Sequence, residues 1–132
     1  MNHVAILTCA VSIFLLGAPW YSKAMFLKPW ARANGIDPDA PRSKDAKHPA
    51  RVFGVALLMA VVAAYAFAWL LGPMPDIGYA LKCGLAAGGG IAATSFAINY
   101  QFANKSTVLL LIDGGYHVVQ FLLYGLILGL WH

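Results

Sequence analysis

Four long apolar segments constrain this chain more than any other feature. They cover residues 4–21, 52–71, 77–100 and 107–131. The hydrocarbon core of a bilayer is roughly 30 Å thick, so each segment is long enough to cross it once as a helix. With 61% hydrophobic and 11% charged residues, the chain also has too much apolar surface for a small soluble domain. The sequence predicts one integral membrane domain over residues 1–132, an all-α bundle of four transmembrane helices.

Two of the three connections between these segments are short turns. They are "GPMPD" at residues 72–76 and "QFANKS" at residues 101–106. Short turns predict that the second, third and fourth spans are successive antiparallel neighbours. No basic stretch precedes the first segment and no small-residue cleavage site follows it, which favours a retained span over a cleaved signal peptide.

The connection at residues 22–51 is long and not uniform. It begins with "KAMFLKPWARANG", which alternates apolar and basic side chains and ends at the helix-stopping pair Asn34-Gly35. This pattern predicts a short amphipathic helix lying in the membrane interface, in contact with anionic lipid headgroups. The proline-rich remainder is interpreted as a solvated loop rather than a dedicated docking motif. No basic helix or aromatic strand pattern indicates nucleic acid.

The basic residues indicate an orientation. Seven of the nine Lys and Arg residues lie in or at the edges of the connection at residues 22–51, and Lys105 lies on the same side. The connection at residues 72–76 carries only the charge of Asp76. The positive-inside rule therefore predicts that residues 22–51 are cytoplasmic and that both termini lie outside.

The fourth segment carries a stripe of polar side chains, formed by Asp113, His117, Gln120 and Tyr124. At about 100° per residue these four positions fall within roughly 40° of one another on a helix. Such stripes face protein or a water-filled cavity rather than lipid. We therefore treat the stripe as a candidate buried polar site.

The third segment offers a matching surface. Gly84, Gly88 and Ala92 have the small-xxx-small spacing that lets helix backbones approach closely. Ser95 and Asn99 continue that face, and we expect Ser95, Thr94 or Asn99 to donate a hydrogen bond to Asp113. Two uses of the glycine face remain open, packing against the fourth span or against another subunit.

The stripe has several interpretations. It is structural if it holds helices together, or if Gly114-Gly115 interrupts the helix and Asp113 caps a helix that begins there. It is a binding or proton-handling site if the acid and imidazole at i, i+4 act together. A metal site is not predicted, because one Asp and one His are too few ligands. Cys9 and Cys83, at similar predicted depths, are interpreted as small apolar residues.

Aromatic residues close the first segment in "GAPWYSKAMFLKPW", residues 17–30. Trp20, Tyr21, Ser22 and Trp30 are predicted to anchor this end at the interface. With the four-span layout and the step Gly115-Tyr116, these residues resemble a bacterial membrane protein family of unknown function, domain-of-unknown-function family 1761. The resemblance implies a small protein of the bacterial inner membrane and supplies no activity.

No catalytic, phosphate-binding or cofactor motif is recognisable, so neither an enzyme nor a cofactor is predicted. The leading hypothesis is a non-enzymatic protein that acts by helix–helix association, as a homo-oligomer or a small accessory subunit of a membrane complex. The alternative is a carrier or channel-like unit for protons or a small polar solute, using Asp113, His117 and Gln120. A third hypothesis is a membrane enzyme acting on lipid or quinone, with Trp20, Tyr21 and Asp113 near one another.

Overall fold

The computed structural model describes residues 1–132 and is entirely helical. Four helices are long and apolar enough to cross a membrane. They are α1 (His3–Trp20), α3 (Pro49–Leu71), the third span (Ile77–Phe102) and α6 (Thr107–Leu130). The predicted all-α fold is confirmed, and the largest shift of a span end is at the second span, which begins at residue 49 instead of 52.

The third span is one rod with an irregular middle. It consists of α4 (Ile77–Leu85), a π-helical segment (Ala86–Ala92) and α5 (Ala93–Phe102). At the end of the π-helical segment the amide of Ala93 donates to the carbonyl of Gly88, five residues earlier, which is the π-helical pattern. The three glycines Gly88, Gly89 and Gly90 lie in this segment.

Each span is preceded by a residue that caps its first turn. The side chains of Asn2, His48, Asp76 and Ser106 accept hydrogen bonds from the backbone amides of their helices. Such caps satisfy amide groups that the helix itself leaves unpaired. Because Ser106 caps α6 and the helix continues without a break through Gly114-Gly115, the alternative in which Asp113 is a helix cap is wrong.

The short helix expected after the first span is present as α2 (Leu27–Ala33). Its buried Ala31 lies on the side that packs against α6, whereas Lys28 and Arg32 are exposed. The helix ends at Asn34, and Gly35 follows with a positive φ of 67° that favours glycine. This helix therefore covers α6 at the end of the bundle that carries residues 22–51.

Helix α6 is the centre of the bundle. It packs along its length against the third span and also contacts α1 and α2. Helix α3 packs mainly against α1 and reaches α6 through Phe67, whose ring lies 6.3 Å from that of Tyr124. The third and fourth spans are neighbours as predicted, but the second and third make almost no contact with each other. A short turn brings two helix ends together, but the helix surfaces determine which helices pack along their length. Here the alanine-rich side of α3 packs against α1.

The core is small and lies between α1, α3 and α6. Alanine supplies much of it, together with Ile6, Cys9, Phe67 and Tyr124. Only 22 of the 132 residues are buried. Most of the large apolar side chains point outward, as expected for helices surrounded by lipid, which is as apolar as they are.

Candidate functional site

The carboxylate of Asp113 accepts hydrogen bonds from two tyrosines. The Tyr21 hydroxyl donates to Oδ1 at 2.6 Å, and the Tyr100 hydroxyl donates to Oδ2 at 2.5 Å. Tyr21 directly follows α1 and Tyr100 lies in α5, while Asp113 belongs to α6. One carboxylate therefore joins three helices near the end of the bundle that carries residues 22–51.

Aromatic rings surround this carboxylate. The ring of Tyr21 lies 5.6 Å from that of Tyr116 and 6.1 Å from that of Trp30, and Trp20 lies 6.4 Å from Tyr116. We call Trp20, Tyr21, Trp30 and Tyr116 the aromatic cluster. Its first three members were predicted from the sequence as an interfacial anchor, and their contact with Tyr116 is seen only in the structure.

Polar atoms of the aromatic cluster bind the backbone of neighbouring helices. Trp20 Nε1 donates to the carbonyl of Ile112 at 3.0 Å, and the Tyr116 hydroxyl donates to the carbonyl of Ile13 at 2.9 Å. The Ser22 hydroxyl donates to the Pro19 carbonyl at 2.6 Å. These bonds fix α1 against α6 and hold Tyr21 in reach of Asp113.

Burial and the neighbouring carboxylate of Asp113 together raise the pKa of the Tyr21 hydroxyl well above its ordinary value. Tyr21 therefore keeps its proton and serves as a donor at all ordinary pH values. A hydrogen bond to a charged group contributes about 1.5–3 kcal/mol. An acid at the centre of a membrane helix costs about 2.5–3.5 kcal/mol, so two such donors are enough to hold Asp113 in place.

The other three residues of the stripe form a separate hydrogen-bonded chain. The Tyr124 hydroxyl donates to the carbonyl of Ala60 at 3.4 Å, and Gln120 Nε2 donates to the Tyr124 hydroxyl at 3.1 Å. Gln120 Oε1 then lies 2.5 Å from His117 Nδ1. Because an amide oxygen only accepts, the proton of this bond belongs to Nδ1. This series of hydrogen bonds links α6 to α3 across the buried core.

His117 also has aromatic neighbours. Its ring stacks on Phe96 of α5 with centroids 5.0 Å apart and an angle of 17° between the planes. Tyr116 meets the same ring edge-on at 5.0 Å. Asp113 and His117 thus belong to two hydrogen-bonded groups, and no hydrogen bond joins them.

The glycine face of the third span lies against α6 of the same chain. A Cβ atom on Gly88 would lie 2.7 Å from the His117 carbonyl oxygen, and one on Gly84 would collide with the Phe121 carbonyl oxygen. In return, Cβ atoms on Gly125 and Gly129 of α6 would come within 2.5 Å and 2.9 Å of backbone atoms of α4. Of the two uses left open above, this face therefore serves packing within the chain. Gly125 and Gly129 were not among the residues predicted to pack, although their i, i+4 spacing is visible in the sequence.

Ser95 and Asn99 lie elsewhere than expected. Both are exposed, the Ser95 hydroxyl donates to the Ile91 carbonyl at 2.7 Å, and the hydrogen bond to Asp113 comes from Tyr100 instead. Ala92 was predicted to face α6, but Ala93 takes that position. A Cβ atom on Gly114 would lie 3.4 Å from the Cβ of Ala93.

The π-helical segment is the physical reason for this difference. Up to Gly88, near the start of that segment, the side of the third span that faces α6 is formed by Ala80, Gly84 and Gly88, as in an ordinary α-helix. After it, Ala93, Phe96 and Tyr100 form that side, one residue later than an uninterrupted α-helix would place it. One extra residue turns the following helix by about 100°. Phe96 and Tyr100 therefore face α6 in place of Ser95 and Asn99.

A cavity of about 370 Å³ lies at the opposite end of the bundle from Asp113. It is enclosed by the start of α1, the end of α3 and residues 72–75. Its lining is mainly apolar and includes Ile6, Leu71 and Leu128. The two cysteines are free, and Cys9 is buried in the core beside the carbonyl of Tyr124. Neither the cavity nor the thiols contact the carboxylate.

Comparison with known protein families identifies a family that covers nearly the whole chain. The model of a family described as "Protein of unknown function (DUF1761)" matches residues 4–129, nearly the whole chain. No curated protein and no solved structure matches. The matched range contains Asp113, its two tyrosine donors and both glycine faces.

Proposed function

The chain belongs to this family of unknown function, DUF1761, and we propose that it is a non-enzymatic multi-pass membrane protein that acts by helix–helix association. It works either as a homo-oligomer or as a small accessory subunit of a membrane complex. The surface that would be used is the side of α5 that points away from α6.

The observation that carries this proposal is an outward polar face on α5, formed by Thr94, Ser95 and Asn99. All three residues are exposed and lie close to outward apolar side chains such as Ile91 and Ile98. The hydroxyls of Thr94 and Ser95 bond to carbonyls of their own helix, whereas the Asn99 amide has no hydrogen bond within the chain. In membranes, asparagine and serine side chains characteristically bond across helices.

The strength of such an association is limited. An interhelical hydrogen bond in a membrane contributes about 0.6 kcal/mol on average, so Asn99 alone does not hold a complex together. Gly84 and Gly88 of the third span already pack against α6, so these glycines are not available for close packing against a partner. We therefore propose an assembly that depends on concentration and on the lipid.

The placement in the membrane is also a proposal. The excess of Lys and Arg in residues 22–51 supports a cytoplasmic position for that connection and outside positions for both termini, in a bacterial inner membrane. The exposed side chains of Lys28 and Arg32 on α2 would then contact anionic headgroups.

Cysteine crosslinking in native membranes tests the association. In a background with Cys9→Ala and Cys83→Ala, Asn99→Cys is oxidised and the product is sized by non-reducing gel. We expect a covalent dimer, or a covalent adduct to a different membrane protein that mass spectrometry identifies. Leu111→Cys is the matched control, since Leu111 is also exposed and lies near the depth of Asp113. Equal crosslinking of both variants, with only a monomer in mild detergent, contradicts the proposal.

A second candidate is a carrier or channel-like unit for protons or a small polar solute. The chain from His117 through Gln120 to Tyr124 favours it, because such a line of hydrogen bonds is able to relay a proton. Asp113→Asn and His117→Ala are then expected to abolish uptake into vesicles while the protein still folds. Loss of folding in both variants would show that the stripe is structural, and unchanged uptake by the folded variants would exclude this function.

A further inference from the structure

We infer that the third span has two rotational registers and that α5 exchanges between them. In the observed register Tyr100 donates to Asp113. In the second register the π-helical segment becomes an ordinary α-helix, α5 turns by about 100°, and Asn99 takes the place of Tyr100. This inference stands whether or not the chain associates with a partner.

The first support is that a second side of α5 is also suited to face α6. Continued from Gly84 and Gly88 with α-helical spacing, that side contains Ala92, Ser95 and Asn99. Ala92 and Ser95 are small enough to let two backbones approach. The Asn99 amide is a hydrogen-bond donor at the position where Asp113 needs one. Sequence spacing and the observed packing thus point to two different sides of the same helix.

The second support is that Gly89 and Gly90 of the π-helical segment make no packing contact that would favour one register over the other. A Cβ atom on Gly90 would meet nothing within 4 Å, and one on Gly89 would only touch flexible side chains at 3.9 Å. Gly84 and Gly88, by contrast, lie against the backbone of α6 in a way that excludes any side chain. The point of rotation therefore lies directly after the last fixed contact.

The third support is that the Asp113 carboxylate remains paired in both registers. Tyr21 belongs to a different part of the chain and keeps its 2.6 Å bond to Oδ1 when α5 turns. Only the donor to Oδ2 is exchanged, a phenol for an amide. The observed register gains the ring stack of Phe96 on His117, and the second gains regular α-helical hydrogen bonds. Two arrangements that each supply donors to the same carboxylate are the condition for a two-state element.

The rotation changes two surfaces at once. Phe96 leaves His117, so the imidazole loses its stacking partner on that side. Ser95 and Asn99 turn inward, so the outward polar face loses two of its three residues. The register thus couples the surroundings of the polar stripe to the surface that α5 presents to the membrane.

Disulfide trapping distinguishes the registers in membranes. All pairs use Gly114→Cys with Cys9→Ala and Cys83→Ala. Ala93→Cys reports the observed register, because a Cβ on Gly114 would lie 3.4 Å from that of Ala93, close to disulfide geometry. Ala92→Cys reports the second register. Thr94→Cys is the control for random collision. Thr94 is one residue from Ala93, as Ala92 is, but the proposed rotation does not bring it towards Gly114.

We expect the 93/114 pair to form fastest and the 92/114 pair to form clearly faster than the 94/114 pair. Deletion of Gly90 removes the extra residue of the π-helical segment and leaves Ala93, Phe96 and Tyr100 facing α6 in an uninterrupted α-helix. The deletion should abolish the 92/114 disulfide and leave the 93/114 disulfide unchanged. A 92/114 rate equal to the 94/114 rate, or a 92/114 rate that the deletion leaves unchanged, overturns the inference.

A second variant tests the same equilibrium without a deletion. Tyr100→Phe removes the hydroxyl that binds Asp113 in the observed register and leaves the second register intact. We expect the 92/114 disulfide to form at least about tenfold faster, as follows from the loss of one hydrogen bond to a charged group. If Tyr100→Phe leaves the ratio of 92/114 to 93/114 unchanged, the hydrogen bond does not select a register and the inference fails.

Discussion

At the scale of single residues, Asp113 is the most informative side chain. A carboxylate in a membrane helix needs donors, and it obtains one hydroxyl from Tyr21, directly after α1, and one from Tyr100 in α5. Tyrosine suits this position because its ring packs in an apolar setting while its hydroxyl supplies the hydrogen bond. The carboxylate therefore acts as a node that fixes the relative positions of α1, α5 and α6, whatever further role it has.

Removing one donor should destabilise the bundle. For Tyr21→Phe we expect a loss of about 1–3 kcal/mol, because one oxygen of Asp113 is left without its partner. Equilibrium unfolding in mixed detergent micelles, followed by circular dichroism, measures this change. Tyr79→Phe is the control, as the Tyr79 side chain is about half exposed and far from Asp113, and it should leave the stability unchanged. Equal stability of the two variants contradicts the assigned role of Tyr21.

Asp113→Asn should weaken the same node by less than its complete removal. The Asn side chain keeps one carbonyl oxygen as an acceptor, so one of the two tyrosine bonds survives in neutral form, which contributes about 0.5–1.5 kcal/mol. Asp113→Leu keeps neither bond and should unfold at a lower fraction of denaturing detergent in the micelle than Asp113→Asn. If both variants were at least as stable as the natural chain, the carboxylate would be retained for a use other than structure.

At the scale of helices, the packing of the third span against α6 depends on glycines of both helices. Gly84 and Gly88 meet backbone atoms of α6, and Gly125 and Gly129 meet backbone atoms of α4. Backbones that approach this closely gain van der Waals contact, which is a main source of helix association in lipid. The two helices therefore form the tightest pair in the bundle.

A methyl group distinguishes packing glycines from hinge glycines. Gly88→Ala places a Cβ 2.7 Å from a backbone oxygen of His117, and we expect a loss of about 1–3 kcal/mol as the helices separate. Gly90→Ala meets nothing within 4 Å, and we expect no loss, or a gain of up to about 1 kcal/mol from better helix propensity. The same micelle unfolding measurement compares the two variants. Similar losses for both would show that the close approach at Gly88 does not set the stability of the pair.

Hydropathy and spacing predict the helices well and their contacts only in part. The spans follow from apolar length, and the polar stripe follows from helical periodicity. The donors of Asp113 could not be predicted, because "AAGGGIA" is compatible with both α- and π-helical geometry and one extra residue decides between Asn99 and Tyr100. The separation of α3 from the third span was also beyond the sequence, since a five-residue turn does not specify which surfaces pack.

At the scale of the whole molecule, the order of contacts is the third span, α6, α1 and then α3. The third span is held on one side only, and its α5 part has no fully buried residue. A helix at the edge of a bundle turns more readily than one packed on two sides, because rotation breaks fewer contacts. The helix that carries the outward polar face is thus also the one with the greatest freedom to turn.

The proposed association and the inferred rotation are linked if both hold. A partner that binds Ser95 and Asn99 on the outside binds the observed register only, so it stabilises the bond between Tyr100 and Asp113 by its own binding free energy. The reverse effect has the same size, because coupling between two binding events is reciprocal. Tyr100→Phe should therefore weaken association even though Tyr100 points away from the partner surface.

Crosslinking of Asn99→Cys as a function of protein-to-lipid ratio measures this coupling. With Tyr100→Phe, the ratio needed for half-maximal dimer or adduct should rise several-fold, as the register competent for binding is less populated. Deletion of Gly90 in the same variant locks the register and should restore the original ratio. Restoration by the deletion is the decisive result, because a variant that simply damaged the fold would not be rescued by removing another residue. If the deletion fails to restore association while the 93/114 disulfide still forms, the two surfaces of α5 act independently.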